Sequence, residues 1–392
     1  MLHDYATAFV GWLHKEALPL WWHRGADQIN GGFVETIGLD GTATVAARRG
    51  RVQPRQVYCY ALAGRQGWDG PWQDALLHGL SYFTDKYWVE PGYFGNLVSP
   101  SGAMLDASFD LYNQAFALFG FAQAAQALPS LQADLEARSR RLLATLRLGF
   151  GHPLGGFHND ARQSVPLKSN PHMHLFEAAL AWEEIALEDR ALWTALADEI
   201  AGLAMTQFID ARSGALREFF AADWSTQPGP EGRIVEPGHQ FEWAWLLTRW
   251  GESRGDANAL VKAERLFEIG LRYGICPDRK VAVMALLDDF STHDATARLW
   301  PQTEWLKSAL RLAEMSRGIK RAYYLSAAQA ACGAMQRFFE VPVPGLWRDK
   351  MQADGSFVIE PAPASSFYHI ACAIDELRLW SQAERMPRSV AA

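Results

Sequence analysis

Gly232-Arg-Ile-Val-Glu-Pro-Gly-His-Gln-Phe-Glu-Trp-Ala-Trp-Leu-Leu247 is the stretch from which the fold of this chain can be worked out. Pro237 and Gly238 end an irregular segment, and His239 opens an apolar run without Gly or Pro, which predicts a helix start. His239 then lies in the first turn, where unpaired N–H groups and the helix dipole disfavour an imidazolium, so we expect a neutral base. Glu242 follows on the same helix face and is expected to orient the ring. A lone histidine at a helix end is usually structural, so a catalytic role for His239 requires that similar residues occur at equivalent positions elsewhere in the chain.

The composition is that of a soluble globular protein and excludes several classes of partner. The chain has 392 residues, 49% of them hydrophobic, and a net charge of −7 without a long block of Lys or Arg. Nucleic acid and anionic membrane surfaces are therefore not expected partners. No signal peptide is evident, and the longest uncharged stretch, 111–133, is too polar to span a bilayer. The four cysteines lack a C-x-x-C pair, so we expect a cytoplasmic protein with reduced thiols.

Helical patterns dominate the chain and recur with a regular period. Twelve helices are predicted at about 3–23, 52–66, 72–87, 107–127, 131–148, 171–187, 190–208, 238–252, 256–273, 300–317, 320–339 and 364–383. Short segments that end in an apolar residue separate successive helix pairs. They are Gly31-Gly32-Phe33, Gly92-Tyr93-Phe94, Gly155-Gly156-Phe157, Gly214-Ala215-Leu216, Val281-Ala282-Val283 and Gly345-Leu346-Trp347. The repeating unit is one helix pair with a hairpin, present six times.

The helices belong to two classes, which decides between an open and a closed arrangement. Residues 131–148 have one apolar face, as in a surface helix, whereas 107–127, 238–248 and 364–375 are apolar nearly all round. An open solenoid would expose its terminal repeats and would not require inner helices this apolar. We therefore predict an all-α fold, an (α/α)6 barrel formed by a single domain over residues 1–392. A homodimer is compatible with this fold.

The apolar helices also contain unusual polar residues near their N-terminal ends. Each of these residues lies 17 to 23 positions after the end of the preceding short segment, and they are Arg55, Tyr112, His174, His239 and His369. In a barrel such positions share one rim and point toward the axis, so the five are expected to converge on one cavity. Histidine can move a carbon-bound proton near neutral pH, and arginine can stabilise a developing enediolate oxygen. The constellation suits proton transfer at C1 and C2 of an aldose.

Three other interpretations of these residues remain open. His172 and His174 form an H-x-H pair that could bind a metal, but residues two apart on a helix do not share a face. Asp106, Asp110, Glu236 and Glu242 could supply the two carboxylates of a glycoside hydrolase, which would leave the three histidines unexplained. The basic run Arg48, Arg49 and Arg51 could bind a phosphate, although we interpret it as a solvated loop.

Several motifs resemble those of the N-acylglucosamine 2-epimerase superfamily, which includes cellobiose 2-epimerases and mannose isomerases. The resemblance covers nearly the whole chain. It is carried by Gln53-Pro54-Arg55-Gln56-Val57-Tyr58, Asn170-Pro171-His172-Met173-His174-Leu175-Phe176-Glu177, Gly232 to Glu242, Trp300-Pro301-Gln302-Thr303-Glu304 and Ser366-Phe367-Tyr368-His369. The loop Ala63-Gly64-Arg65-Gln66-Gly67-Trp68 is most similar to that of the mannose isomerases.

This resemblance implies a sugar isomerase or epimerase that needs neither a metal nor another cofactor. By this similarity His239 and His369 are the acid/base pair, Arg55 binds the reacting oxygens, and His174 assists ring opening or holds a hydroxyl. The residues expected to line the substrate pocket are Tyr112, Asn170, Glu242, Trp300 and Arg233. The implied reaction is the interconversion of D-mannose and D-fructose, with 2-epimerisation of N-acylglucosamine, mannose or cellobiose as the alternative. Two alternatives belong to other functional classes: an (α/α)6 glycoside hydrolase and a carbohydrate-binding protein without turnover.

Overall fold

Six pairs of helices form two concentric rings in the computed structural model, which describes residues 1–90 and 92–385. The first outer element is a continuous rod made of α1 (Leu2–Trp12), a π-helical stretch (Leu13–Ala17), α2 (Leu18–Leu20) and a second π-helical stretch (Trp21–Gly25). The other outer helices are α4 (Trp72–Lys86), α6 (Gln132–Phe150), α8 (Arg190–Leu203), α10 (Ala257–Gly274) and α12 (Gly318–Phe338). The inner helices are α3 (Val52–Arg65), α5 (Leu111–Ala127), α7 (Ser169–Ile185), α9 (Pro237–Arg254), α11 (Leu299–Glu314) and α13 (Ala364–Arg385).

The inner ring is closed, as the alternation of helix classes predicts. Each inner helix contacts the next along the chain, and α13 packs against α3 to complete the circle. Each outer helix packs against one inner helix, with α1 pairing with α13. The inner helices are buried nearly all round because they contact neighbours on both sides and an outer helix behind. The (α/α)6 barrel is therefore confirmed.

Short antiparallel strands line the rim at the N-terminal ends of the inner helices. They are Thr36–Ile37, Arg48–Arg49, Trp88–Val89, Tyr93–Phe94, Leu97–Val98, Met104–Asp106, Leu167–Lys168, Phe219–Phe220, Ile275–Cys276, Val281–Ala282, Ala285–Leu286, Thr292–Asp294, Ala297–Arg298, Lys350–Met351 and Ala362–Pro363. Several pairs join successive repeats: 48–49 pairs with 97–98, 167–168 with 219–220, and 297–298 with 350–351. The pairing of 36–37 with 362–363 joins the first repeat to the last and closes the rim.

A buried side chain of the inner helix holds the short segment in five of the six repeats. Gln53 accepts a hydrogen bond from the Phe33 N–H and donates one to its carbonyl, both at 2.8 Å. The three corresponding pairs are Gln114 with Phe94, Gln240 with Leu216 and Gln302 with Ala282. In the third repeat His172 takes this place and accepts from the Phe157 N–H at 3.0 Å. These contacts fix the position of each inner helix relative to the rim, because a shift along the helix axis would break them and leave buried polar groups unpaired, which is costly.

The predicted helices agree with the observed ones except at a few ends. The largest difference is at α5, which begins at Leu111 rather than near 107. Asp110 is extended and its carboxylate accepts the Tyr112 N–H at 3.0 Å, so it caps the helix and the residues before it join the rim. Across 1–90 and 92–385, none of the helices combines the length and the apolar character that crossing a bilayer requires.

Candidate active site

A polar cavity of about 320 Å³ opens at the rim, above the N-terminal ends of the inner helices. Its volume is at the low end of the range for small-molecule sites, roughly 300–1,000 Å³, which suits a monosaccharide. The cavity is lined by Arg49, Arg51, Arg55, Tyr112, Asn170, His174, Glu236, His239, Glu242, Met284, Arg298, Trp300, Ser365, Ser366 and His369. Eight of the nine residues proposed from the sequence are in this set. The ninth, Arg233, is not.

The lining residues keep fixed offsets from the side chain that holds each segment. Two positions after Gln53, His172, Gln240 and Gln302, and after Phe367 at the corresponding place in the sixth repeat, the inner helices carry Arg55, His174, Glu242, Glu304 and His369, of which all but Glu304 line the cavity. Two positions before Gln53, Gln114, His172, Gln302 and Phe367 lie Arg51, which immediately precedes α3, and Tyr112, Asn170, Trp300 and Ser365. Residues four apart on a helix are one turn apart, so the cavity has a deep level and a level near the mouth. Of the five positions aligned from the sequence, Arg55, His174 and His369 belong to the deep level and Tyr112 to the level near the mouth, whereas His239, one position before Gln240, falls between the two.

His239 differs from the sequence-based expectation in both its partner and its charge. Its Nδ1 lies 2.8 Å from the Glu218 carboxylate and 3.5 Å from that of Glu236, so Glu242 does not orient it. Burial disfavours the imidazolium, but the charges of Glu218 and Glu236 outweigh burial and raise the pKa of His239 to about 10. The prediction of a neutral base at this position is wrong. Two carboxylates at close range exceed the effect of a helix N-terminus, and His239 is a proton donor at neutral pH.

His369 has a similar contact but the opposite charge. Its Nδ1 lies 2.8 Å from Glu304, and the second oxygen of that carboxylate lies 2.8 Å from the fully buried ammonium of Lys307. Burial, together with the positive charges of Arg55 and Lys307, lowers the pKa of His369 well below its ordinary value. Nδ1–H donates to Glu304, which leaves Nε2 unprotonated and able to accept a proton.

Trp300 contacts both of these histidines. Its ring centroid lies 5.0 Å from that of His239 and 5.8 Å from that of His369. A Cβ atom at position 238 would lie 2.4 Å from the Trp300 ring, so α9 can pack this closely against Trp300 only because residue 238 is a glycine. The tryptophan holds the two rings apart and offers a flat surface to a sugar.

Arg55 is buried with its guanidinium in the cavity wall. It donates to the Tyr112 hydroxyl at 2.5 Å and to the Ser365 carbonyl at 3.1 Å, and it lies 4.0 Å from the centroid of the Phe116 ring. Its Nε has no hydrogen-bond partner within the described part of the chain. The arginine is therefore held rigidly, with its positive charge in the wall of the cavity, where it can stabilise a developing oxyanion.

His174 and Glu242 form the deep floor of the cavity. Burial lowers the pKa of His174 to about 4, although Glu177 lies 3.4 Å from its Nδ1. Burial, reinforced by Glu304, raises the pKa of Glu242 well above its ordinary value, so this carboxyl is neutral and can donate a hydrogen bond. Both Glu242 oxygens and the Oδ1 of Asn170 lack hydrogen-bond partners among residues 1–90 and 92–385.

Two sequence-based assignments change with the geometry. Arg233 lies outside the cavity, where Nε contacts Asp288 at 2.8 Å and its terminal nitrogen contacts Asp289 at 3.1 Å. It is 45% exposed and its charge is already paired, so its placement in the sugar pocket is not supported. The basic run is not a solvated loop either, because Arg48 is buried in an ion pair with Asp27 and Arg49 contacts Glu35.

Three groups of side chains bring potential metal ligands within reach of one another. They are His174 with Glu177 and Glu242, Glu218 with Glu236 and His239, and Glu242 with Glu304 and His369. In the last two groups the histidine Nδ1 and a carboxylate already form a short hydrogen bond, and Glu304 also contacts Lys307. His172 faces away from His174, with its Nδ1–H donating to the Lys168 carbonyl at 2.8 Å. The H-x-H pair is thus split between a structural and a cavity-lining role.

Sequence reasoning missed the carboxylates behind the two catalytic candidates. Glu218 follows Leu216 by two residues, and Asp349 and Glu35 keep the same offset after Trp347 and Phe33. Glu304 follows Gln302 at the offset that places Arg55 after Gln53. These regular offsets would have indicated Glu218 and Glu304 if the repeats had been aligned on the buried glutamines.

Comparison with known proteins identifies the family of this chain. Residues 31–373 match the N-acylglucosamine 2-epimerase (GlcNAc 2-epimerase) family model. The chain belongs to this family, whose members are sugar epimerases and isomerases. The resemblance stated from the sequence motifs is therefore confirmed.

Individual relatives include both kinds of enzyme. The chain is 60% identical over 376 residues to a mannose-6-phosphate isomerase of Rhizobium meliloti (strain 1021), which covers 96% of this chain and 97% of that protein. A D-mannose isomerase crystal structure superposes with a TM-score of 0.85 at 19% identity, over 95% of this chain and 97% of the other. Cellobiose 2-epimerase from Bacillus thermoamylovorans B4167 gives the same TM-score at 16% identity, over 97% and 99%. These two structures support the fold alone.

Proposed function

We propose that this protein is an aldose–ketose isomerase that interconverts D-mannose and D-fructose through a C1–C2 enediolate. The proposal is carried by the arrangement of His239 and His369, which lie against Trp300 with Nδ1 at 2.8 Å from a buried glutamate in each case and whose surroundings shift their pKa values in opposite directions. Two titratable groups whose surroundings push their pKa values apart are suited to act as acid and base in one reaction.

The residues suggest the following sequence of proton transfers. Nε2 of His369 removes the proton from C2 of open-chain mannose, and the electron pair forms the C1–C2 double bond as the C1 carbonyl becomes an enediolate oxygen. His239 gives its proton to that oxygen, and the positive charge of Arg55 stabilises the negative charge as it develops. The neutral His239 then takes the proton from the O2 hydroxyl, and His369 returns its proton to C1. The product is fructose, and both histidines regain their starting state.

The remaining lining residues support binding rather than proton transfer. Glu242 and Asn170 line the cavity and are proposed to contact the sugar, and Tyr112 holds Arg55. His174 is neutral and can assist ring opening by accepting a hydroxyl proton. None of these steps uses a metal ion, so we expect activity to survive exhaustive chelation and dialysis.

A 2-epimerase is the second candidate, because the family contains such enzymes and because the two histidines flank the cavity. In that reaction His239 would deliver its proton to the opposite face of C2. The destination of the proton removed from C2 distinguishes the two reactions. An isomerase can carry one proton between adjacent carbons on a single imidazole, whereas an epimerase must take its incoming proton from the second histidine.

The test uses mannose with deuterium at C2. We expect fructose that retains part of the deuterium at C1, with only minor glucose. Glucose as the main early product, fully exchanged at C2, would make the protein an epimerase. Reducing sugar released from β-linked oligosaccharides without conversion of free hexoses would indicate a glycoside hydrolase instead. Binding of sugars with neither product would leave a carbohydrate-binding protein.

A further inference from the structure

The mouth of the cavity contains three arginines that the isomerisation does not use. Arg49, Arg51 and Arg298 all line the opening. Arg49 contacts Glu35 through Nε at 2.8 Å, and Arg298 contacts Asp349 through Nε at 2.8 Å. These two arginines are thus partly neutralised. Glu236 also lines the cavity and attracts Arg298, so Arg51 is the arginine whose presence needs an explanation.

Arg51 lacks the acidic partner that the other two have. No carboxylate within 1–90 or 92–385 lies within 4 Å of its guanidinium, and its Nε is buried without a hydrogen-bond partner. Its guanidinium lies 5.1 Å from the centroid of the Tyr112 ring, which holds it at the cavity wall. Asp110 is close enough to attract it electrostatically, but that carboxylate is occupied as the cap of α5. A half-buried, unpaired guanidinium is available for an anionic ligand.

The position of Arg51 relative to Arg55 indicates which end of a sugar it would meet. Arg51 immediately precedes α3, four residues before Arg55, so it lies about 6 Å nearer the mouth along the helix axis. If the reacting carbons lie beside Arg55, the far end of an open-chain hexose extends toward Arg51. The uncapped N-terminus of α3 adds partial positive charge at the same place.

We infer that Arg51, with Arg49 beside it, forms a subsite for a phosphate group at C6, so that the enzyme takes hexose 6-phosphates. The inference rests on the proposed isomerase function, because it assigns the deep end of the cavity to C1 and C2. C1 must be free to form the carbonyl, which places the anionic group at the other end of the sugar. Arginine suits phosphate because its fork of donors matches two phosphate oxygens.

Binding tests the inference without turnover. Reduced hexoses cannot isomerise, so the probes are mannitol and mannitol 6-phosphate, compared by calorimetry on the full chain. We expect the phosphate to bind about tenfold to a hundredfold more tightly, and Arg51→Gln to remove most of this difference. Arg272→Gln is the matched control, since Arg272 also stacks on a tyrosine, at 5.3 Å from Tyr273, but is exposed on an outer helix. It should leave the difference unchanged.

Other outcomes would overturn the inference. Equal affinity for the two probes, or an equal loss for both in Arg51→Gln, would show that no phosphate subsite exists. Binding of a hexonate or hexuronate as tight as that of the 6-phosphate would assign the arginines to a carboxylate. In parallel, wild-type turnover of mannose and mannose 6-phosphate is measured. Conversion of mannose without any preference for the phosphate would refute the subsite alone, whereas conversion of neither sugar, despite tight phosphate binding, would refute the isomerase proposal.

Discussion

The α9 and α13 sides of the cavity hold one histidine each, bound in the same way but charged differently. His239 and His369 both place Nδ1 at 2.8 Å from a buried glutamate. Near His239 a second carboxylate, that of Glu236, lies 3.5 Å from Nδ1 and attracts the imidazolium, although burial raises the pKa of Glu236 to about 7. Behind His369, in contrast, the Lys307 ammonium neutralises Glu304. The protonation state of a histidine thus depends on the charge beyond its immediate partner. A Glu–His contact alone does not distinguish an acid from a base.

Removing either ring should have the largest effect. His239→Ala and His369→Ala are each expected to lower kcat/KM about 10²- to 10⁴-fold, because each removes one member of an acid/base pair. His172→Gln is the matched control, since glutamine holds the corresponding segment in four other repeats, and it should retain near wild-type activity. Circular dichroism and urea unfolding check that the variants are folded. A variant at 239 or 369 that keeps more than a tenth of the activity would remove that residue from the mechanism.

The cation behind His369 is the next point at which the comparison can be tested. Lys307→Met leaves Glu304 negative, which should raise the pKa of His369, so the acid limb of kcat/KM moves to higher pH by about one unit or more. Breaking a buried pair also costs about 3–5 kcal/mol in the free energy of unfolding. The double variant Lys307→Met/Glu304→Gln removes both charges, and its acid limb should return toward wild type. An unmoved acid limb in the single variant would show that Lys307 does not set the state of His369.

The smallest effects are expected on the His239 side. Since the pKa of His239 is raised to about 10, its acid form is present at neutral pH and is lost as the pH rises through that value. Glu218→Gln should lower this alkaline limb by about 1–2 units, and Glu236→Gln should lower it less, because Glu236 lies farther from Nδ1. The pH dependence of kcat/KM measures both shifts. A larger shift for Glu236→Gln would reverse the assigned order of the two carboxylates.

Much of the fold and part of the site could be predicted from the sequence. Local patterns predicted the alternation of one-faced and fully apolar helices and the six short segments, and together they indicate a closed barrel. They also predicted that Arg55, His174, His239 and His369 would meet, because residues at repeated offsets in a ring point to one axis. These features depend on helix periodicity and repeat length, which a sequence states directly.

What each of these residues does was decided by the tertiary structure. The sequence predicted a neutral His239 oriented by Glu242, because those two are neighbours on one helix. In the folded protein the partner of His239 is Glu218, which comes from the preceding rim segment. Lys307, one turn after Glu304 on the same helix, neutralises that carboxylate, which would otherwise favour the protonated form of His369. Charge interactions depend on distance through space and on burial, and neither is readable from spacing along the chain. The sequence by itself therefore determined the barrel and most of the residues that line its cavity, while only the tertiary structure decided which histidine is charged.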